Sequence, residues 1–456
     1  MVKIRGGSKS SSDGRWLTAL VANSRGEIYE LEGYAAVGMA GSRLEPLAMG
    51  NTIPTPDGGE VMYLPDRRPI VFDLDTQRFE RLDEDPYRPG EPVYPVSAFN
   101  SPGYVTTLLS AFEERIAASP LPLFSYGAVG WFEGGFRSTL IQVDREPRQD
   151  LRFMRIEEVR NGVRRMRREL PGNRLRAHLE KCALTYGCPA GKNFFLGRYE
   201  APLPTSKACN ARCLGCLSLQ SASGIPSSQN RIDFTPAPEE IAEAALAHLE
   251  RVPNGVVSFG QGCEGDPMLA AHVIEPAIRR IRARTKDGTI NLNTNASQPR
   301  TVSQLFDAGL DTMRVSLNSV REPCYAAYFR PNGYTLADVF RSIDAAAERG
   351  GGVSLNYLNL PGFTDTPEEL DAMIRFLGGH PVHMIQWRNL NFDPIRYWTV
   401  MGAAASQGPP LGMKTVLDTI RRHYPKLLFG YFNPPRERFA HIGGRQGRTA
   451  PCDGSK

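Results

Sequence analysis

Between residues 194 and 400, short apolar runs alternate with longer amphipathic ones. The short runs are "NFFLGRYEAPLP", "GVVSFG", "TINLNTN", "TMRVSLNS", "GVSLNYLNL" and "VHMIQWRNL". They are rich in β-branched and aromatic residues and read as strands. Between the later ones lie "PEEIAEAALAHLERV", "AHVIEPAIRRIRAR", "RTVSQLFDAG", "TLADVFRSIDAAAER" and "TPEELDAMIRFL", whose apolar positions recur at helical spacing. The start of the last one predicts a cap at Thr366, Pro367 at the first helical position and Glu369 completing a capping box. Strands each followed by a helix predict a parallel sheet with right-handed crossovers. Six such strands predict an α/β fold, a partial (β/α)6 TIM-like barrel, with its active site at the C-terminal ends of the strands.

The flanks differ. Residues 16–75 carry short β-like runs separated by turn formers such as Asp57-Gly58-Gly59. "VTTLLSAFEERIAA" at 105–118 reads as helix, and the stretch after it as a hairpin turning near Glu133-Gly134-Gly135. This predicts an N-terminal α+β domain over 1–146. Residues 147–193 read as a basic helical connector, broken at Pro171-Gly172. The core barrel is expected over 194–400, and residues 401–456, of mixed character, as a C-terminal extension.

Composition refines this only slightly. A chain of 456 residues is too long for one small core. Its net charge of +5 is mild, so bulk charge does not argue for nucleic acid. Arg164, Arg165, Arg167 and Arg168 could grip a phosphate backbone, but Glu157, Glu158 and Glu169 interleave with them, and a salt-bridged face is the plainer reading. No apolar run reaches the roughly 18 residues of a membrane helix, and the N-terminus lacks the apolar segment of a signal peptide. The expectation is a cytoplasmic protein without a membrane partner.

The chemistry concentrates in "KACNARCLGCLSLQ", Lys207 to Gln220. Cys209, Cys213 and Cys216 stand close together with no histidine nearby. Structural zinc wants four ligands, commonly in two CxxC-type pairs, and no second pair exists here. A redox dithiol needs two cysteines rather than three. An iron–sulfur cluster fits better, with one iron left open. CxxxCxxC just after a first strand and before a βα barrel resembles the radical S-adenosylmethionine superfamily. The resemblance implies that the three cysteines hold a [4Fe-4S] cluster whose open iron is chelated by S-adenosylmethionine. It further implies reductive cleavage to methionine and a 5′-deoxyadenosyl radical that abstracts hydrogen from substrate, and an electron donor such as flavodoxin or ferredoxin. One residue departs from the pattern: Gly215 stands where the superfamily usually has an aromatic.

Further segments resemble the superfamily's motifs in order. "FGQGCEGDPML" is similar to its GGE-type loop, which implies contacts to the cofactor from Gly260, Gly262 and Gly265, with Glu264 or Asp266 at the acidic position. Cys263 interrupts these glycines and reads as a small buried residue. "NLNTNAS" resembles the TNG segment through Thr294 and Asn295. "RVSLNS" places Arg314, Ser316 and Asn318 at alternate positions, and the resemblance assigns Ser316 and Asn318 to the cofactor's ribose or carboxylate. Asn356 on the fifth strand and Arg388 on the sixth complete the expected cofactor contacts. Cys182, Cys188, Cys324 and Cys452 could together ligate a second cluster. Auxiliary clusters of the superfamily draw on more numerous cysteines after the barrel, so these four are read as ordinary residues. His380 and His383 read as packing residues, and "YGAVGWFEGGF" as ordinary core rather than a cover for the barrel mouth.

Three classes of function follow: a radical enzyme acting on a small molecule, peptide or protein; an RNA-modifying radical enzyme using the connector; and a non-catalytic iron–sulfur or zinc protein on a degenerate barrel. The first is the reading favoured here. The substrate is not identified.

Overall fold

The computed structural model describes residues 16–220 and 224–440. A fully parallel sheet of seven strands carries the second half of the chain. In order these are β1 (Glu200–Pro202), β2 (Val256–Phe259), β3 (Thr289–Thr294), β4 (Thr312–Leu317), β5 (Gly352–Asn359), β6 (Met384–Asn389) and β7 (Leu428–Gly430). Helices pack outside them, and Val256–Phe259 is buried throughout, as parallel strands covered on both faces must be. The sheet is a partial barrel with one strand more than expected. β7 pairs with β6 in parallel and comes from the region read as a mixed extension, which also supplies a helix, Met413–His423.

Before the barrel, helices α1 (Ile156–Glu169), α2 (Arg174–Leu184) and α3 (Pro189–Leu196) form the connector. Phe194 and Phe195, expected in the first strand, lie at the end of α3. Pro189 at its first position and Gly197 in the left-handed conformation (φ 66°) close that helix before the strand begins. Much of the basic face is internally satisfied: Arg167 and Arg176 both pair with Glu180, and Arg165 donates to the Phe195 carbonyl.

The N-terminal region is all β between Thr18 and Gln142 apart from a short 3-10 turn, which corrects the α+β expectation. A twelve-stranded antiparallel sheet dominates it. The stretch 105–118 is not helical. Tyr104–Thr106 pairs with Leu140–Gln142, Leu109–Ser110 with Gly38–Met39, and Phe112–Glu114 with Arg67–Pro69. Leu108, Leu109, Ala111 and Phe112 are buried on both faces, so the run lacks the alternation of a half-exposed strand and mimics a helix. The hairpin turning at Glu133-Gly134 is present.

The helix at Pro367–Gly379 begins where expected, but without the capping box. Glu369 is buried and accepts hydrogen bonds from Ser319, Arg321 and Tyr357, so it braces the barrel wall rather than its own helix terminus.

The N-terminal region docks on the C-terminal ends of the barrel strands, chiefly through the two-stranded sheet of Tyr104–Thr106 and Leu140–Gln142. Asn389 accepts from the Thr106 amide at 2.9 Å and donates to the Tyr104 carbonyl at 3.0 Å. Asn359 donates to the Thr106 carbonyl. Asp393 at the next turn meets the buried Arg67 guanidinium and the Leu121 amide. The end of the barrel that carries the cysteine loop is therefore partly roofed. No helix among the described residues is long and apolar enough to cross a membrane.

Candidate active site

The chain leaves β1 at Pro202 and enters the cysteine loop. Two carboxylates fix the loops around it: Glu264 ties the cysteine loop to the glycine loop, and Asp266 ties the glycine loop to the end of β3. Glu264 accepts the Thr205 and Ser206 amides on one oxygen (2.8 and 2.9 Å) and the Gly260 and Gln261 amides on the other (2.6 and 3.0 Å). It thus staples the cysteine loop to the glycine loop after β2. Burial pushes its carboxyl up to about 7, against the pull of those amides. Asp266 does the same one strand further on, accepting from Thr294 Oγ1, the Asn295 amide and the Met268 amide; burial raises its carboxyl too. The two acidic candidates are both spent on backbone architecture.

Two glycines make the close approach possible. A Cβ on Gly265 would stand 1.9 Å from the Ala208 carbonyl oxygen, and one on Gly260, at φ +77°, 1.7 Å from that of Asn293. On its far side the cysteine loop is held by the end of the helix α4 (Glu322–Phe329): Arg212 and Leu214 amides donate to the Phe329 and Tyr328 carbonyls.

Above these loops lies a cavity of about 400 Å³. Cys209, Cys213 and Cys216 border it together with Gly260, Gly262, Glu264, Gly265 and Asp266. Thr294, Asn295, Arg314, Ser316, Asn356 and Arg388 also reach it. Asn318 does not, which corrects its expected role. β4 ends at Leu317, the alternation lapses there, and the fully buried Asn318 amide donates to the Cys324 carbonyl and Tyr397 Oη. Residues that sequence reasoning missed also line the cavity. Phe99, Asn100 and Ser125 come from the N-terminal region, for which nothing in the sequence pattern gives a signal. Ser125 lines the cavity and is itself buried, and Tyr126, Ala128 and Val129 after it are core. Asn293 lies two residues from Asn291 on β3, an inward alternation that could have found it.

The sulfurs of Cys209, Cys213 and Cys216 do not form a single-ion site. Among the described residues, the one set of three metal-type ligand atoms lying within 4.8 Å of one another is elsewhere. With zinc–sulfur bonds of about 2.3 Å, sulfurs on one zinc lie at most ~4.6 Å apart. Three half-buried cysteines spaced more widely round one cavity fit a polynuclear cluster. Burial, then the Asp266 charge, pushes the Cys209 thiol up to about 11, and burial with the two neighbouring sulfurs raises Cys213 as well.

Deeper in the cavity, Arg314 donates to Gln386 Oε1 at 3.1 Å, and the Arg388 guanidinium lies over the Tyr431 ring at 3.9 Å. The Nε of each arginine is buried without a hydrogen-bond partner. Burial, then the neighbouring Arg388 charge, lowers Arg314 to about 9. This is an electropositive pair with unmet donors.

Residues 203–377 match the family model described as the Radical SAM superfamily. The chain is 30% identical over 169 residues to a GTP 3′,8-cyclase of Sulfurovum sp. (strain NBC37-1), a stretch covering 37% of this chain and 48% of the relative. It is 33% identical over 145 residues to a GTP 3′,8-cyclase 2 of Mycobacterium bovis, covering 31% of this chain and 37% of that one. The match thus spans less than half the length of either relative. Among solved structures, SuiB of Streptococcus suis is similar over 57% of this chain and 53% of its own, at 13% identity and a TM-score of 0.36.

Proposed function

We propose that the chain is a member of the radical SAM superfamily, whose model matches residues 203–377 and whose members use a [4Fe-4S] cluster and S-adenosylmethionine, and that it is a radical enzyme acting on an anionic small molecule. When bound, the two cofactors supply reductive cleavage of S-adenosylmethionine and a 5′-deoxyadenosyl radical that takes hydrogen from substrate. Cys209, Cys213 and Cys216 hold the cluster. The backbone of Gly260, Gly262 and Gly265 lies open to the methionine end of the cofactor, with Glu264 and Asp266 fixing its shape. Thr294, Asn295 and Ser316 face the ribose side. The N-terminal residues Phe99, Asn100 and Ser125 narrow the mouth and keep water from the reacting centre. An electron donor such as flavodoxin or ferredoxin supplies the electron.

The observation that carries the substrate class is the Arg314–Arg388 pair. Two half-buried guanidiniums with unmet Nε–H groups, with the Glu200 carboxylate as counter-charge on the Arg314 side, offer free donors to an anion between them. Asn356 borders the same part of the cavity. The relatives' substrate, GTP, is of this class, which makes a phosphorylated nucleotide the first compound to test. In the reconstituted protein, GTP is expected to raise 5′-deoxyadenosine formation, and Arg388→Met to raise the concentration needed by about tenfold or more, the loss of one charge-assisted contact. Formation that neither GTP nor another nucleoside triphosphate changes would remove the nucleotide reading and leave the superfamily chemistry standing.

A further inference from the structure

A second group of metal-type ligands lies outside the cavity, and no function described so far uses it. His178 and Cys182 are four residues apart on α2, so they share one face. His178 Nε2 is 3.5 Å from Cys182 Sγ. Cys263 reaches the same point from the glycine loop after β2. One ligand atom from each of the three lies within 4.8 Å of both others. Cys182 and Cys263 are only 1% and 4% exposed. Cys188 follows closely: its amide donates to the Cys182 carbonyl at 3.0 Å, and its thiol is near enough to feel the charge of Cys182. The surroundings hold the group in place. The Phe234 ring meets His178 edge-on, and the Ile232 amide donates to the Cys263 carbonyl.

The sequence groups Cys182 and Cys188 with Cys324 and Cys452. The fold does not place Cys324 with them: it lies on α4, where Glu369 is near its thiol. Cys452 is outside the described residues. The third cysteine of the group is Cys263, expected from the sequence to be a small buried residue.

We propose that His178, Cys182 and Cys263 bind one zinc-class divalent ion; Cys188, whose sulfur lies outside that group, completes the tetrahedron only by moving in. Sulfur and imidazole are the donor set of closed structural zinc sites, and tetrahedral zinc needs only a small contraction of the present group. Each cysteine that binds the ion does so as thiolate, and its thiol proton passes to solvent. The ion would rivet the connector to the glycine loop at the residue preceding Glu264, the staple of the cysteine loop. It would set the position of the cofactor-facing backbone from outside the cavity.

The test separates this site from the radical centre. The variant C209A/C213A/C216A lacks the cluster ligands, so its metal content reports the second site alone, whether or not the radical reading holds. Purified from zinc-supplemented cells, it is expected to hold about one zinc per chain by elemental analysis. Adding Cys182→Ser should reduce that at least fivefold, as should His178→Asn, a change at a partly exposed helix position that leaves the core packing in place. Cobalt exchanged into the triple variant should give a tetrahedral thiolate spectrum that both additions abolish. A zinc content near zero in the folded triple variant, or one that Cys182→Ser and His178→Asn leave unchanged, would overturn the proposal. A Cys182–Cys263 disulfide in freshly isolated reduced protein would overturn it equally.

Discussion

At the scale of single residues, the three cysteines were readable from the sequence because their chemistry is local: short spacing puts three thiols in one loop whatever the rest of the chain does. Gly215 was not readable. The superfamily pattern expects an aromatic there, but a Cβ at 215 would stand 2.9 Å from Tyr328 Oη and 3.2 Å from the Asn391 carbonyl. Tyr328, from α4, occupies that space beside the cysteine loop. The aromatic has moved to a distant position in the sequence, which no local reading can detect. Gly215→Phe is therefore expected to overpack the loop at a cost of about 1–3 kcal/mol and to lower iron retention after reconstitution. Tyr328→Ala in the same chain should restore part of both, measured by iron per chain and by urea midpoint. Restoration is the informative outcome, because a loop that simply requires glycine would gain nothing from it.

At the scale of elements, the parallel strands and their helices followed from hydrophobic periodicity, since each buries a continuous or one-sided apolar run. The errors fell where burial on both faces removed the alternation, as at Leu108–Phe112, or where capping decided the outcome, as at Pro189 and Gly197. Glu240 shows how elements are tied together. It lies in the first turn of the helix Pro238–Leu249, takes both the backbone and the guanidinium of Arg174 at the start of α2, and caps its own helix through the Ala237 amide. Arg174 and these amides hold its carboxyl at about 2. A carboxyl lowered in the folded state stabilises above its unfolded value near 4.5 and loses that stabilisation as pH falls toward 2. Wild type should lose on the order of 2 kcal/mol more than Glu240→Gln across that window, after allowance for solvent screening of the partly exposed pair. Parallel pH–stability curves for the two proteins would contradict the assignment.

At the scale of the molecule, the roofing of the barrel by the N-terminal sheet was invisible in the sequence, because its contacts join residues hundreds of positions apart. Asp393 carries much of the joint. One oxygen caps the helix Pro394–Ala404 through the Ile395 and Arg396 amides, and the other meets Arg67 and the Leu121 amide. Arg67 is only 1% exposed and also pairs with Glu114 at 2.8 Å, so Asp393→Ala would remove one of the two carboxylates facing a buried cation together with the cap of its own helix. The expected loss is about 2–3 kcal/mol of stability, read by denaturant unfolding, with faster proteolysis of the N-terminal region. A change below about 1 kcal/mol would show that the roof is held elsewhere.

The central claim, that three cysteines at the open end of this barrel support radical cleavage of S-adenosylmethionine, rests most directly on one product. The chain should be reconstituted anaerobically with iron and sulfide, given S-adenosylmethionine and a strong reductant, and assayed for 5′-deoxyadenosine. Wild type is expected to form it, and Cys213→Ala to form none above the protein-free background. Absence of 5′-deoxyadenosine from wild type that carries its iron, or equal formation by Cys213→Ala, would contradict the account.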